Sequence, residues 1–192
     1  MLHPALKIIV EEHAVMASVL GALRDTVASA KVPTASPDFK AMRALLFYLD
    51  EIPARLHHRA EEELLFPRIR ERCPALHPVL DRLTAEHGRG ESTVHGLERA
   101  LTAWELVGDE RREAFELPLQ IFVEGYLGHL EVEESYVLPV AQDYLSEIDW
   151  RDLHAALTHK HGAMAMQLAE DHRNLLDLVR SMSVGGRVPK AE

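Results

Sequence analysis

Apolar residues recur every three or four positions along most of the chain, whereas sustained alternation of Val, Ile and Thr with polar residues does not occur. This spacing puts apolar side chains on one face of an α-helix and does not suit a β-strand. It predicts five helices, over about 4–30, 38–71, 78–107, 110–145 and 150–180. The segments VPTASP, CPALHP, VGDER and SEID separate them, as turn-forming residues do.

Each of the four long predicted helices carries an apolar stripe. The stripes comprise Leu6, Ile9, Met16, Leu20, Leu23 and Val27; Leu46, Leu49, Leu56, Ala60 and Leu64; Leu80, Leu83, Val94, Leu97 and Leu101; and Leu119, Phe122, Tyr126, Leu130, Tyr136, Val137 and Val140. Pro4 suits a first helical turn, and Asp109 suits an N-cap. Pro53, Pro118 and Pro139 predict bends, because proline removes a backbone donor and crowds the preceding turn.

Four long amphipathic helices with short connections favour an all-α fold. The architecture we predict is an up-down antiparallel four-helix bundle with an additional C-terminal helix. One domain spans residues 1–182, and the polar segment 183–192 is predicted to be a disordered tail.

Charge and composition narrow the classes of partner. The formal net charge is −10 and the pI is about 5.6, which argues against nucleic acid and against an anionic membrane surface. Cys73 is the single cysteine, so a disulfide framework and a cysteine-rich zinc site are excluded. No signal peptide and no membrane span are evident, and we expect a cytoplasmic protein. The 12 histidines are the unusual feature, because imidazole is the commonest metal-binding side chain.

A motif of the form HxxxEExxxxP occurs twice, from His57 to Pro67 and from His129 to Pro139, 72 residues apart. The repeat indicates two related helix pairs. Its helices, the second and the fourth, are expected to lie adjacent or diagonal to each other across one core.

Histidine and glutamate residues four apart share one face of a helix, and here that face is apolar. The candidates are His13 in the first helix, His57 and Glu61 in the second, His87 and Glu91 in the third, and His129 and Glu133 in the fourth. A buried, unpaired carboxylate is costly, and no lysine or arginine lies on these stripes at matching depth. A metal ion would supply the missing positive charge. Imidazole and carboxylate suit iron, manganese or zinc, and two carboxylates able to bridge indicate two ions.

Other interpretations of the same residues exist. A lone histidine on an apolar face is more often a hydrogen-bonded core residue, and an HxxxE pair is often a surface ion pair. A purely structural bundle leaves the inward glutamates unexplained. A ferritin-like carboxylate site uses Glu-x-x-His, and that spacing does not occur in this sequence.

Several neighbouring residues are assigned lesser roles. The residues expected to face outward or to support ligands are His58, Glu62, Glu63 and Glu134, with His154, His159 and His161 in the last helix. His95 is a minor candidate ligand. Tyr126, one turn before His129, is expected in the core, where its hydroxyl would reach a small molecule at the metal.

The motifs IxxEH, HHRAEEELLFP, EHGRGE and HLEVEESYVLP resemble those of the hemerythrin-like HHE cation-binding family over about residues 8–141. That resemblance implies a four-helix bundle around two iron ions (Fe2+/Fe3+), bridged by oxo or hydroxo, with zinc or manganese as alternatives. It implies His13, His57, Glu61, His87, His129 and Glu133 as ligands, the two glutamates bridging. Oxygen carriers of the family have histidine at the position of Glu91, so a glutamate ligand there puts reversible oxygen carriage in doubt.

Two kinds of function follow from this resemblance. The first is a binding protein for dioxygen or another small diatomic molecule, as sensor or carrier, or a protein that holds iron. The second is a di-iron enzyme acting on a small oxidant, through peroxide breakdown, nitric oxide handling or ferrous oxidation. A small bundle is not expected to offer a cleft for a large substrate, and no nucleophile motif or phosphate loop is present, which favours the first kind.

Overall fold

A computed structural model describes residues 2–31, 36–171, 173 and 177. These residues form five helical runs and no strand, which confirms the all-α prediction. The predicted tail 183–192, the expected end of the last helix near residue 180 and most of the loop 32–37 lie outside the described residues.

The helical runs contain eight α-helices. These are α1 (Pro4–Ser29), α2 (Phe39–Ile52), α3 (Phe66–Arg72), α4 (His77–Val107), α5 (Arg112–Val132), α6 (Leu138–Tyr144), α7 (Glu147–Ala156) and α8 (Gly162–Asp171). The predicted second helix corresponds to α2 and α3 with the helical residues between them, and the predicted fourth helix corresponds to α5 and α6 in the same way.

The four long runs pack side by side in a closed ring. α1 contacts α2 and α5, and α4 contacts the same two helices. Successive runs are joined by short connections and therefore alternate in direction, as in an up-down bundle. α7 packs against α1, as the predicted additional C-terminal helix. Among the described residues, no helix combines the length and apolar character needed to cross a bilayer.

Two apolar clusters fill the bundle, one on either side of a polar layer. One cluster contains Leu20, Leu45, Leu101 and Phe115, and the other contains Leu6, Leu65, Leu80 and Leu153. Along α1, residues 5–9 belong to the second cluster and residues 19–30 to the first, and buried His13 lies between them. Polar side chains in this layer are therefore enclosed by packed hydrocarbon above and below.

π-Helical segments interrupt the second and fourth runs at the repeated motif. They span Pro53–His58, Glu61–Leu65 and Glu133–Val137. Pro67 and Pro139 follow the last two, and each proline lacks the N–H that the carbonyl four residues earlier would accept. A widened turn at that carbonyl relieves the clash with the proline ring. Pro118, in contrast, lies inside an uninterrupted α5.

The widened turns change which residues face the core. Tyr136 was predicted to point inward, but it is 52% exposed while Val137 is fully buried. Leu65, rather than Leu64, is the fully buried residue of the matching turn. Regular α-helical spacing therefore fails beyond each glutamate, because a π-helical turn contains an additional residue.

Two helix starts also differ from the prediction. Asp109 is not an N-cap: it lies in a 3-10 turn after Gly108, and its Oδ1 accepts a hydrogen bond from the Trp104 indole at 2.9 Å. The last run starts at Glu147 and not at Trp150, because Ser146 and Asp149 form a capping box with reciprocal side-chain-to-backbone bonds.

Candidate metal centre

Six of the seven predicted ligands meet in the polar layer. His13, His57, Glu61 and Glu133 form one group of buried side chains, and Glu61, His87, His129 and Glu133 form a second. Within each group the potential ligand atoms lie within 4.8 Å of one another. Both glutamates belong to both groups, so the structure has two adjacent four-residue sites that share two carboxylates.

Distances in the first group suit a single cation. His13 Nε2 lies 3.1 Å from His57 Nε2 and 3.3 Å from Glu133 Oε2. His57 Nε2 lies 3.4 Å from Glu61 Oε2. Donors that are each about 2.1 Å from one ion at tetrahedral or octahedral angles lie about 3.0–3.4 Å apart. The atoms are therefore spaced as ligands of one ion would be.

The second group repeats this spacing. His87 Nε2 lies 3.1 Å from His129 Nε2, and His129 Nε2 lies 3.1 Å from Glu133 Oε1. His87 Nε2 is 3.5 Å from Glu61 Oε2. Glu133 thus turns Oε2 to the first group and Oε1 to the second, which is the arrangement of a bridging carboxylate.

Each of the four histidines donates its outer ring nitrogen, Nδ1, to a carboxylate. The pairs are His57 with Glu12 at 3.1 Å, His87 with Glu62 at 2.7 Å, His129 with Glu86 at 2.9 Å and His13 with Glu134 at 2.9 Å. A proton fixed on Nδ1 leaves the lone pair of a neutral imidazole on Nε2. The Nε2 lone pairs then face each other at 3.1 Å in both groups, which is unfavourable unless a cation lies between them.

The outer carboxylates connect the helices in chain order. Glu12 of α1 holds a histidine of the second run, and Glu62 of the second run holds one of α4. Glu86 of α4 holds a histidine of the fourth run, and Glu134 of the fourth run holds the histidine of α1. This outer carboxylate ring therefore closes on itself and follows the two-fold repeat of the sequence.

The electrostatics of the glutamates also favour a cation. Burial raises the pKa of the Glu61 carboxyl well above its ordinary value, and the adjacent Glu133 adds to the effect. Burial opposes ionisation of Glu133 as well, and its pKa falls below its ordinary range only where a positive charge, such as protonated His129 and His13, faces the carboxyl. Within the described residues, all four oxygens of this pair lack a hydrogen-bond partner. Buried carboxylates in this state fit metal ligation.

Glu91 is not brought to the centre. It is exposed and belongs to neither group. The reason is the regular α-helix of α4, where the inward position midway between His87 and Val94 is Gly90. In the second and fourth runs the residue four after the histidine, Glu61 or Glu133, is fully buried and is the first residue of a π-helical turn, whereas α4 has no such turn.

His58 also departs from expectation, because it is buried at 9% exposure and does not face outward. Its ring stacks on His87 with centroids 4.0 Å apart, and its Nε2 lies 3.3 Å from the Tyr126 hydroxyl. That hydroxyl donates to Met16 Sδ at 3.1 Å. Burial and the neighbouring imidazoles hold the pKa of His58 well below its ordinary value. A neutral imidazole and a phenol therefore lie beside the candidate ligands.

The remaining candidates lie away from the centre. His95 is exposed and contacts Asp50 at 3.3 Å, and Glu63 is exposed beside Arg59. His154 and His159 are exposed, and the side chain of His161 lies outside the described part of the chain.

Glu12 and Glu86 were missed by the sequence analysis, although each immediately precedes a candidate histidine in an Glu-His dipeptide. The recurrence of that dipeptide in the first and third helices was the available signal. Glu62 and Glu134, expected to support ligands, do contact His87 and His13.

A family model described as the hemerythrin HHE cation-binding domain matches residues 5–141. No curated protein and no solved structure matches the chain. The matched range contains every residue of both four-residue groups and of the outer carboxylate ring.

Proposed function

The chain belongs to the hemerythrin HHE cation-binding domain family, and on that premise we propose that it holds two iron ions and binds or senses dioxygen, or stores the iron. His13 and His57 would hold one ion, His87 and His129 the other, and Glu61 and Glu133 would bridge them. Iron in such a site supplies a redox-active Lewis acid that binds small molecules.

One observation carries this proposal: two buried groups of imidazole and carboxylate donors share both glutamates. The donor set contains no thiolate, and four imidazoles with two carboxylates suit iron over a structural zinc site, which takes four ligands in all. The remaining residues supply the environment. The outer carboxylate ring fixes the orientation of each imidazole, and the apolar clusters on both sides restrict the entry of water.

Metal content tests the ligand assignment. Glu133→Ala is expected to lower the bound metal from two ions per chain to one or none, because Glu133 belongs to both groups. Glu91→Ala is the matched control, since Glu91 is exposed and is expected to leave the metal content unchanged. Elemental analysis of the purified variants measures both. Full metal content in Glu133→Ala would refute the site, and zinc or manganese in place of iron would refute the choice of metal.

Oxygen binding is tested separately by absorbance. Anaerobic reduction with dithionite followed by air is expected to restore a stable visible band if the protein binds dioxygen reversibly. Irreversible oxidation without such a band contradicts oxygen binding and supports iron storage or sensing.

An enzyme acting on a small oxidant is the second candidate, and one observation favours it. His58 and Tyr126 place two protic groups beside the ligands, and a site that only stores iron has no need of them. Catalysed consumption of hydrogen peroxide or nitric oxide, lost in Tyr126→Phe while the metal content stays unchanged, would support the enzyme. No turnover of either oxidant, or of ferrous iron, would contradict it.

A further inference from the structure

A cavity of about 490 Å³ lies between α4 and α5 and reaches the second ligand group. His58, His87, His129 and Tyr126 line its inner end. This finding contradicts the expectation that a small bundle offers no cleft for a large substrate. A water molecule takes up about 30 Å³ in the liquid and a diatomic molecule needs room of the same order, so the cavity exceeds that need by more than tenfold.

The walls and mouth of the cavity are mostly apolar. Phe122 and Pro118 form part of the wall, and Leu117 and Ile121 at the mouth are 57% and 65% exposed. Exposed apolar side chains grouped around an opening are typical of a binding site. Glu86 and Arg89 line the cavity together with their charged groups 4.0 Å apart, so among the described residues its lining has no unpaired cation to attract an anion.

The two halves of the bundle differ at this point. Gly90 lines the cavity three residues after His87, whereas Met16 stands three residues after His13 in the related position. A cavity of about 430 Å³ in the other half reaches His57 but not His13, and Met16 lines it. Met16 thus lines a cavity that reaches one of the two histidines of its group, whereas Gly90 lines a cavity that reaches both His87 and His129.

Glycine at residues 90 and 125 keeps the space free from two sides. A Cβ atom placed on either residue would meet no other atom within 4 Å. Glycine inside a helix is destabilising relative to alanine, and no neighbouring atom in the described part of the chain would prevent a side chain at either residue.

We propose that this cavity binds a neutral, mostly apolar organic molecule of the size of a substituted naphthalene, with one end against His87 and His129. The position of that end beside a metal rests on the proposed function, but the binding itself depends only on the cavity. An anionic head group would have to leave water for an apolar enclosure that already contains Glu86 and backs onto Glu61 and Glu133.

Calorimetric titration of the full chain with 1-naphthol, neutral at pH 7, tests the proposal. The expected result is saturable binding of one molecule per chain, with 1-naphthalenesulfonate at least tenfold weaker. Gly90→Met copies the residue of the other half and should weaken 1-naphthol binding at least tenfold. Gly88→Met, on the exposed face of the same helix, is the matched control and should change it less than twofold.

Metal content is measured in the same samples, so the two proposals can fail independently. Loss of 1-naphthol binding in Gly90→Met at unchanged metal content supports the cavity. If the purified wild type contains no metal, the proposed function is contradicted. The 1-naphthol titration still decides whether the cavity binds an apolar molecule. If Gly90→Met does not fold, Gly125→Leu fills the same space from α5.

Three outcomes would overturn the proposal. The first is no saturable binding of 1-naphthol by the wild type, and the second is binding by Gly90→Met or Gly125→Leu as tight as that of the wild type. The third is a wild-type dimer in sedimentation that Ile121→Glu dissociates, because the exposed mouth would then be an interface between two copies.

Discussion

Replacing Glu61 by methionine in the metal-free protein is expected to increase its stability. The Glu61 side chain is fully buried, burial raises its pKa, and both of its oxygens lack a hydrogen-bond partner among the described residues. A buried polar group without a partner costs about 1–3 kcal/mol, and apolar replacements of buried charged groups often stabilise a protein by a similar amount. Methionine is flexible and adapts to the shape of the space that glutamate leaves.

The free energy of unfolding of metal-free Glu61→Met should therefore exceed that of the wild type by about 1–3 kcal/mol. For a chain of 192 residues, this corresponds to an increase in Tm of about 2–12 °C. Urea unfolding in the presence of a chelator measures the difference, provided the m-value stays constant. Glu91→Met is the matched control and should lie within about 0.5 kcal/mol of the wild type, because Glu91 is exposed.

Added metal should reverse the order of stability. A ligand at 100 times its Kd adds about 2.7 kcal/mol to a protein that binds it, and Glu61→Met has lost a residue common to both groups. Both proteins are compared without metal. If Glu61→Met is then less stable than the wild type by 1 kcal/mol or more at equal m-value, the Glu61 carboxyl already has a favourable partner in the wild type. The centre would then need no cation to compensate its buried carboxylates.

Three further predictions follow from other contacts. Glu62→Ala should weaken metal affinity about 10–100-fold in a chelator competition, because Glu62 fixes the orientation of the His87 ring. Glu63→Ala is the control and should leave the affinity unchanged, because Glu63 is exposed. Equal affinities of the two variants would refute the role of the outer carboxylate ring. The Ser146 hydroxyl and Arg72 hold the pKa of Asp149 at about 2, so its stabilising effect should be complete above its unfolded pKa near 4 and disappear as the pH falls through 2. The urea midpoints of wild type and Asp149→Asn should therefore differ at pH 5 and converge near pH 2; a constant difference would contradict this. Gly108 has a φ of 116°, which residues with a side chain rarely adopt, so Gly108→Ala should lower the free energy of unfolding by about 1–3 kcal/mol. An unchanged Tm in thermal unfolding would show that the turn relaxes to accept alanine.

Hydrophobic spacing was sufficient to predict the bundle because four of its five runs contain long stretches of regular α-helix. The stripe of α4, from Leu80 to Leu101, was predicted residue by residue and is buried throughout. The cost of burying an unpaired carboxylate selected Glu61 and Glu133, and this argument does not depend on exact helix geometry.

The errors occur where the backbone leaves regular helix or where a contact is made between helices. Tyr136 was placed inward because a π-helical turn cannot be read from α-helical spacing. Glu91 was included by analogy with Glu61 and Glu133, each of which begins a π-helical turn that α4 lacks. The contacts of Glu12 and Glu86 join residues about 45 positions apart in the chain, and pattern within one helix carries no information about them.

The closed order of the outer carboxylate ring has a consequence for how the bundle is held together. Each of the four long runs supplies a carboxylate to a histidine of the next and has a histidine held by the one before, so none of the four is a terminal member. The ring makes no use of the connecting loops. A chain cleaved between α1 and α2, or permuted to begin at α4, would retain all four links, and the fragments should reassemble around the same metal.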